Sequence, residues 1–285
     1  MAYSGVANTT FSYLLTMYDY RNDFPEEYKP SYVKITTITM VSSFETTINI
    51  EKLKTVFDTS GSIFIRMKDG ASFEWKRKMT TFYNQITLNY TDEYSTKSIK
   101  VFPNGSIQVA GCADLFDCHR VIRMLNQLFA TVLEMSPIPP DKFKVVMINS
   151  NFSVNHSINL MAVTQIFGKH PNFAVSFDPD RYSAVKVKFS PDSESSKKVT
   201  ASIFSTGKVI VTGAETLKEI VFAYHFITTK IYAFRQEIMV TPAATKDLFD
   251  TFMGYKVEEV AEAVKGLGIH PWHEHRTNYK INFSS

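Results

Sequence analysis

The sequence predicts an α+β fold made of two copies of one unit: an opening strand, a short helix, a run of antiparallel strands and a closing helix. Two echoes predict it. "FPNGSIQVAGCA" (residues 102–113) returns as "FSTGKVIVTGAE" (204–215), sharing the frame F-x-x-G-x-[IV]-x-V-x-G at an offset of 102 residues. "INIEKLKTVF" (48–57) returns as "INLMAVTQIF" (158–167) at an offset of 110. Two landmarks in the same order describe a duplicated domain of roughly a hundred residues, not a solenoid of short repeats.

Each element has a local reason. Residues 33–41 ("VKITTITMV") and 143–149 ("FKVVMIN") are rich in β-branched side chains and predict the opening strands. The echoed helices follow, with Ile48, Ile50, Leu53 and Phe57 matched by Ile158, Leu160, Val163 and Phe167 at amphipathic spacing. Strand-like runs come next, at 62–67, 84–90, 97–102 and 106–110 in the first copy and 173–177, 184–189, 199–204 and 208–212 in the second. Gly105 and Gly207 stand where a tight hairpin demands a residue tolerant of positive φ. Asp114 is placed to cap the first closing helix, whose stripe is Leu115, Val121, Ile122, Leu125, Phe129 and Val132. The second carries Leu217, Ile220, Val221, Tyr224, Ile231 and Phe234. "SPIPP" (136–140) is a stiff linker between repeats spanning 31–135 and 141–236. Residues 1–30 form an N-terminal extension. The C-terminal extension is 237–285, in which 247–268 reads as one or two amphipathic helices ending at Gly266 or Gly268.

Composition bounds the function classes. A hydrophobic share of 44% with 21% charged residues suits a folded globular chain. No basic-then-apolar leader opens the sequence and no run is long and apolar enough to span a bilayer, so an intracellular, unsecreted protein is expected. Cys112 and Cys118 lie in the first repeat alone and read as reduced core thiols. The net charge of +3 is uneven: both repeats are basic, the second more so, and both tails are acidic. That pattern fits a polyanionic partner for the repeats.

Strand alternation separates two faces. Ile107 and Val109 oppose Gln108 and Ala110; Val209 and Val211 oppose Ile210 and Thr212. Ile99 and Val101 oppose Lys100 and Phe102, and Ala201 and Ile203 oppose Ser202 and Phe204. One face is apolar and takes the helices. The other is mixed and small but holds large aromatics at its rim, as a contact surface does.

The twofold strand–helix–strands–helix order and the F-x-x-G-K-[VI]-x-[VL]-T-G-A hairpin resemble the TATA-box-binding-protein family. "FSTGKVIVTGA" is nearly the family form, and "SFDPDRY" (176–182) is similar to its S-Y-E-P-E-L-F stirrup. The resemblance covers residues 31–236 and suggests a divergent member, such as a large DNA virus encodes. It implies a saddle-shaped, pseudo-twofold α+β fold, with a curved antiparallel sheet and helices on the convex face. It also implies a general transcription initiation factor that binds and bends double-stranded A·T-rich promoter DNA through the minor groove, and recruits a TFIIB-type factor and the RNA polymerase machinery. The setting implied is a nucleus, or a viral factory or virion. No cofactor is implied.

Residue by residue, the family's wedge aromatics map to Phe82 and Phe102 in the first copy and to Tyr182 and Phe204 in the second. Its paired base-contacting asparagines map to Thr37 and Met147 without gaps, with Thr39 and Asn149 two residues on as the alternative register. Thr37 retains a donor and Met147 does not. The groove-floor positions become Lys100, Gln108 and Ala110 in one half and Ser202, Ile210 and Thr212 in the other. Lys188 and Lys208 keep phosphate-facing charge, whereas Ser106 stands where the first half would carry a lysine. Asp178 and Asp180 are the acids that the second stirrup would offer to the TFIIB-type factor, with Pro179 holding the loop extended and Arg181 in place of an apolar residue.

Two other readings compete. "HPWHEH" (270–275) gathers His270, His273 and His275 near Glu274, but the spacing matches no zinc or metalloprotease pattern, and no nucleotide loop or nucleophile elbow appears, so an enzyme is not expected. The alternative function is a protein-interaction module of the same fold, in a transcription complex, that has lost specific DNA binding.

Overall fold

The structure, a computed structural model, describes residues 3–59, 64–68, 70–76, 84–139, 142–191, 198–246 and 250–272. Helix α1 (Tyr3–Asn22) and strand β1 (Lys34–Ser43) open the chain. Then come α2 (Ile50–Thr59), β2 (Phe64–Arg66), β3 (Ser72–Trp75), β4 (Ile86–Thr91), β5 (Thr96–Val101), β6 (Ser106–Cys112) and α3 (Leu115–Leu133). The second copy runs through β7 (Lys144–Ser153), β8 (His156–Ile158), α4 (Leu160–Gly168), β9 (Ala174–Asp178), β10 (Tyr182–Phe189), β11 (Val199–Phe204), β12 (Lys208–Ala214) and α5 (Leu217–Ala233). The chain closes with α6 (Arg235–Ile238), β13 (Met239–Pro242), β14 (Thr251–Phe252), β15 (Tyr255–Lys256) and α7 (Val257–Lys265). Packing divides it into two compact units, Thr36–Met147 and a second one made of Tyr3–Ile35 with the chain from Ile148 onward.

In the first-repeat unit the antiparallel order is β2-β3-β4-β5-β6-β1; in the second-repeat unit it is β7-β12-β11-β10-β9. The two units repeat one turn apparatus. Phe44 N–H donates to Gly105 O at 3.0 Å, and Val154 N–H to Gly207 O at 3.0 Å. Ile48 N–H reaches Pro103 O at 2.8 Å, and Ile158 N–H reaches Ser205 O at 2.7 Å. Gly105 and Gly207 have φ of +83° and +85°, and a Cβ on either would overlap a backbone carbonyl, that of Thr46 or of His156. The echoed glycine is therefore required twice over, by its backbone angle and by close approach. The closing helices also start alike. Asp114 accepts from Asp117 N–H at 2.7 Å, as its position predicts, and Thr216 forms a capping box with Glu219.

The helix-covered face is the core. Ile99, Val101, Ile107 and Val109 in one unit, and Ala201, Ile203, Val209 and Val211 in the other, are fully buried, as alternation requires. Val121, Ile122, Leu125 and Phe129 of α3 are also fully buried, each worth about 1.5–3 kcal/mol of transfer energy. One core-face position breaks the pattern. Lys97, 1% exposed, lies 3.0 Å from both Asp92 and Asp117, and Arg120 contacts the same two carboxylates. Burial alone would raise the Asp92 carboxyl. Hydrogen bonds from Ser95, Lys97, Arg120 and Tyr94 outweigh it and hold the group at about 2. The cluster ties the β4–β5 turn to α3.

The terminal extensions belong to the second-repeat unit. Tyr20 stacks on His225 of α5 at 4.2 Å, Tyr224 Oη donates to Ser31 O at 3.0 Å, and Asn155 Nδ2 donates to Lys29 O at 3.0 Å. Helix α1 also packs on α7, where Leu15 meets Ala261 and Val264. The expectation of helix through 247–268 holds only for its second half. Residues 251–256 form the β14–β15 hairpin, turning through Met253 and Gly254 at positive φ. Strand β3 and helix α1 had no counterpart in the expectations, and no described helix is long and apolar enough to cross a membrane.

Candidate nucleic-acid interface

Cross-strand register builds the open face of each unit in rows. In the first-repeat unit Thr87 pairs with Lys100, Lys100 with Gln108, and Gln108 with Val41. In the second-repeat unit Lys186 pairs with Ser202, Ser202 with Ile210, and Ile210 with Asn151. The next rows are Asn89–Ser98–Ala110–Thr39 and Lys188–Thr200–Thr212. The rows are equivalent strand for strand, because each copy bulges at the same place, between Ile38 and Thr39 in one and between Val211 and Ala214 in the other.

That register puts Thr37, Thr39 and Val41 on one side of β1, and Met147, Asn149 and Asn151 on one side of β7, by strict alternation. Thr39 is buried opposite Ala110, Thr37 and Asn149 are half-buried, and Met147 is exposed. Sequence reasoning missed Val41 and Asn151. The signal was available in the period of two beyond Thr39 and Asn149, but the facing partner is visible only through pairing.

The rim aromatics divide by unit. Tyr182, at the start of β10, meets Phe204, at the end of β11, edge-on with ring centroids 5.7 Å apart. The Lys186 ammonium sits 4.5 Å over the Tyr182 ring. Phe204 is half-buried, so this pair forms an apolar step at the end of the sheet with one cation beside it. Phe102 is half-buried beyond β5, where its N–H donates to Ser106 O at 3.0 Å and its carbonyl accepts from Gly105 N–H at 3.0 Å. Phe82 lies outside the described residues.

Charge on the open faces is mainly basic, with Glu74 on β3 accepting from the Asn89 amide at 3.4 Å in the first-repeat unit. Lys100 is half-buried, Lys186, Lys188 and Lys208 are exposed, and Ser106 is half-buried at the matching first-unit position. Ile210 is 37% exposed between Ser202 and Asn151, an apolar surface at the centre of a polar row. Such a face suits a partner that presents acidic edges around a flat, partly apolar floor.

The acidic turn between β9 and β10 closes more tightly than an extended stirrup. Arg181 N–H donates to Asp178 O at 3.2 Å, and Arg181 Nε lies 3.6 Å from Asp178 Oδ2. Pro179 thus sits in a four-residue β-turn, and the fully solvated Arg181 holds Asp178 only weakly. Asp180 stays exposed at the tip. His270 lies after α7, while His273, Glu274 and His275 fall outside the described residues.

Residues 142–234 match the family model described as Transcription factor TFIID (or TATA-binding protein, TBP). The chain is 27% identical over 251 residues to a TATA-box-binding protein-like protein of Acanthamoeba polyphaga mimivirus, covering 74% of this chain and 68% of that one. Among solved structures, Methanococcus jannaschii TBP superposes with a TM-score of 0.52 at 14% identity, covering 70% of this chain and 98% of the archaeal one. The last likeness is one of fold.

Proposed function

We propose that this chain, which is similar to TATA-binding-protein-like proteins and shares the fold of an archaeal one, is a transcription initiation factor that acts by binding, not by catalysis. It binds double-stranded A·T-rich promoter DNA through the minor groove, bends it, and presents the result to a TFIIB-type factor and the polymerase machinery. The observation that supports this reading is the pair of equivalent open faces. In each unit one sheet face is covered by helices, and the other carries a polar row with an aromatic at the sheet end.

The physics follows from the groove. The minor groove of a short A·T element has two near-equal halves, and a duplicated unit offers one face to each. Phe102 and Phe204, with Tyr182 beside Phe204 and Phe82 as the fourth aromatic of the resemblance, wedge into the outer base steps, where a flat apolar group replaces stacking lost on kinking. That loss is about a few kcal/mol per step, a general magnitude for proteins that kink the minor groove, the TATA-binding protein among them. Thr37, Thr39, Met147 and Asn149 meet the centre of the element, Lys100, Gln108, Ile210 and Thr212 its floor, and Lys188 and Lys208 the phosphates. The work is done in a nucleus or a viral factory.

The test is a gel-shift and energy-transfer titration of the full chain on an end-labelled A·T-rich duplex against a G·C-rich one. Binding with bending is expected, with a log–log salt slope of roughly −2 to −5, since each neutralised phosphate contributes about −0.9. Absence of binding, or binding indifferent to salt, overturns the reading and leaves the protein-interaction module.

A further inference from the structure

Two carboxamides on the open faces are uncommitted. Gln108 is half-buried at the centre of its row, between Lys100 and Val41, and among the described residues its side chain makes no hydrogen bond, even to the lysine directly across. Asn151 is half-buried opposite Ile210, and its Oδ1 is buried without a hydrogen-bond partner. No bond of its own fixes the Asn151 amide, so a half-turn exchanges oxygen for NH₂ at the surface. The rows are equivalent, but the amide and the apolar residue are exchanged between strands. One unit has Gln108 on β6 facing Val41 on β1; the other has Ile210 on β12 facing Asn151 on β7.

A carboxamide pressed onto a minor-groove floor has to satisfy a donor and an acceptor together. An A·T pair presents only acceptors there, adenine N3 and thymine O2. It satisfies the NH₂ and leaves the amide oxygen buried without a donor, a loss of about 1–3 kcal/mol. A G·C pair adds the guanine N2 amino group, the one hydrogen-bond donor in the groove. Val41 and Ile210, lacking an acceptor, give that amino group nothing. An amide oxygen accepts it.

We propose that Gln108 and Asn151 are base-reading residues, each accepting a hydrogen bond from a guanine amino group, so that the preferred element holds one G·C pair in each half within an otherwise A·T-rich tract. This rests on the minor-groove reading above. The strand exchange makes the two G·C positions unequal in depth, so the element has a direction and is not a palindrome.

The experiment uses the full chain and a panel of A·T-rich duplexes in which successive positions are made G·C, inosine·C or A·T, with affinity read by fluorescence anisotropy. Inosine lacks only the N2 amino group. The expected result is two positions, one per half, where G·C binds about three- to tenfold tighter than inosine·C, the range for one neutral hydrogen bond. Gln108→Leu abolishes the preference at one position alone, and Asn151→Leu at the other. Val41→Asn adds an amide at a surface position and creates a new G·C-preferring position, so the idea stands on a gain as well as on losses. Inosine·C binding as well as G·C throughout, or a G·C preference that survives both leucine variants, overturns the inference and leaves minor-groove binding standing. Binding to none of the duplexes overturns both.

Discussion

Replacing Gly105 or Gly207 by alanine tests the duplicated turn that the echoed phrase encodes. Two penalties combine. A non-glycine residue held at φ near +83° or +85° carries a left-handed strain of about 1–2 kcal/mol. The new Cβ would also overlap the Thr46 or His156 carbonyl, which is backbone and cannot rotate aside. Moving it loosens the bonds that flank it, Phe44 N–H to Gly105 O and Ile48 N–H to Pro103 O in one unit, Val154 N–H to Gly207 O and Ile158 N–H to Ser205 O in the other. At about 1 kcal/mol for each net bond the total is about 3–4 kcal/mol per site. Gly70→Ala separates the terms, since Gly70 has φ +90° but nothing within 4 Å of its would-be Cβ. It should lose only the strain, about 1–2 kcal/mol. Gly168→Ala, with neither positive φ nor contact at the end of α4, should be neutral or stabilising by up to about 1 kcal/mol. Urea denaturation followed by circular dichroism measures all four. If Gly105→Ala and Gly207→Ala cost no more than Gly70→Ala, the close approach to the carbonyl is not what the repeated glycine serves.

Three further outcomes are expected. Phe102→Ala and Phe204→Ala should each reduce DNA bending and affinity together, by about 1–3 kcal/mol, in energy-transfer titrations; folded variants that bend DNA like the parent would show that neither is a wedge. Asp178→Arg with Asp180→Arg should abolish capture of a TFIIB-type factor in a supershift assay and leave the bend nearly unchanged; loss of both in a folded protein would assign the turn to DNA contact or stability. Because the Asp92 carboxyl is held at about 2, below the usual carboxylate value near about 4, its stabilisation is complete above pH ~4 and is lost as pH falls through ~2. Urea midpoints should therefore drop over that window and Asp92→Asn should flatten the drop, while Lys97→Met, stranding Asp92 and Asp117 with Arg120 alone, should cost about 3–5 kcal/mol at neutral pH. A wild-type-like melt for Lys97→Met would remove the buried cluster from the account of stability.

The sequence by itself determined what depends on neighbours along the chain. The repeated glycines, the Asp114 cap, the amphipathic helices α2, α3 and α4 and the inward alternation of β5, β6, β11 and β12 are local, because a turn, a cap or a face is set within a few residues. The family resemblance was legible for the same reason: its hairpin and stirrup are short contiguous phrases. Tertiary structure decided the rest. Helix α1 is covered by α5 on one side and α7 on another, so Thr10, Ser12 and Thr16 are buried along with Leu14 and Leu15, and no polar stripe marks it as a helix. Lys97 reads as a surface lysine until Asp92 and Asp117 close over it from a turn and a helix. Arg181 turns out to fold back on Asp178. The facing of Gln108 by Val41 and of Ile210 by Asn151 depends on two bulges and on pairing between strands distant in sequence. Alternation says which side of its own strand a residue takes, but only hydrogen-bonded register says what stands beside it.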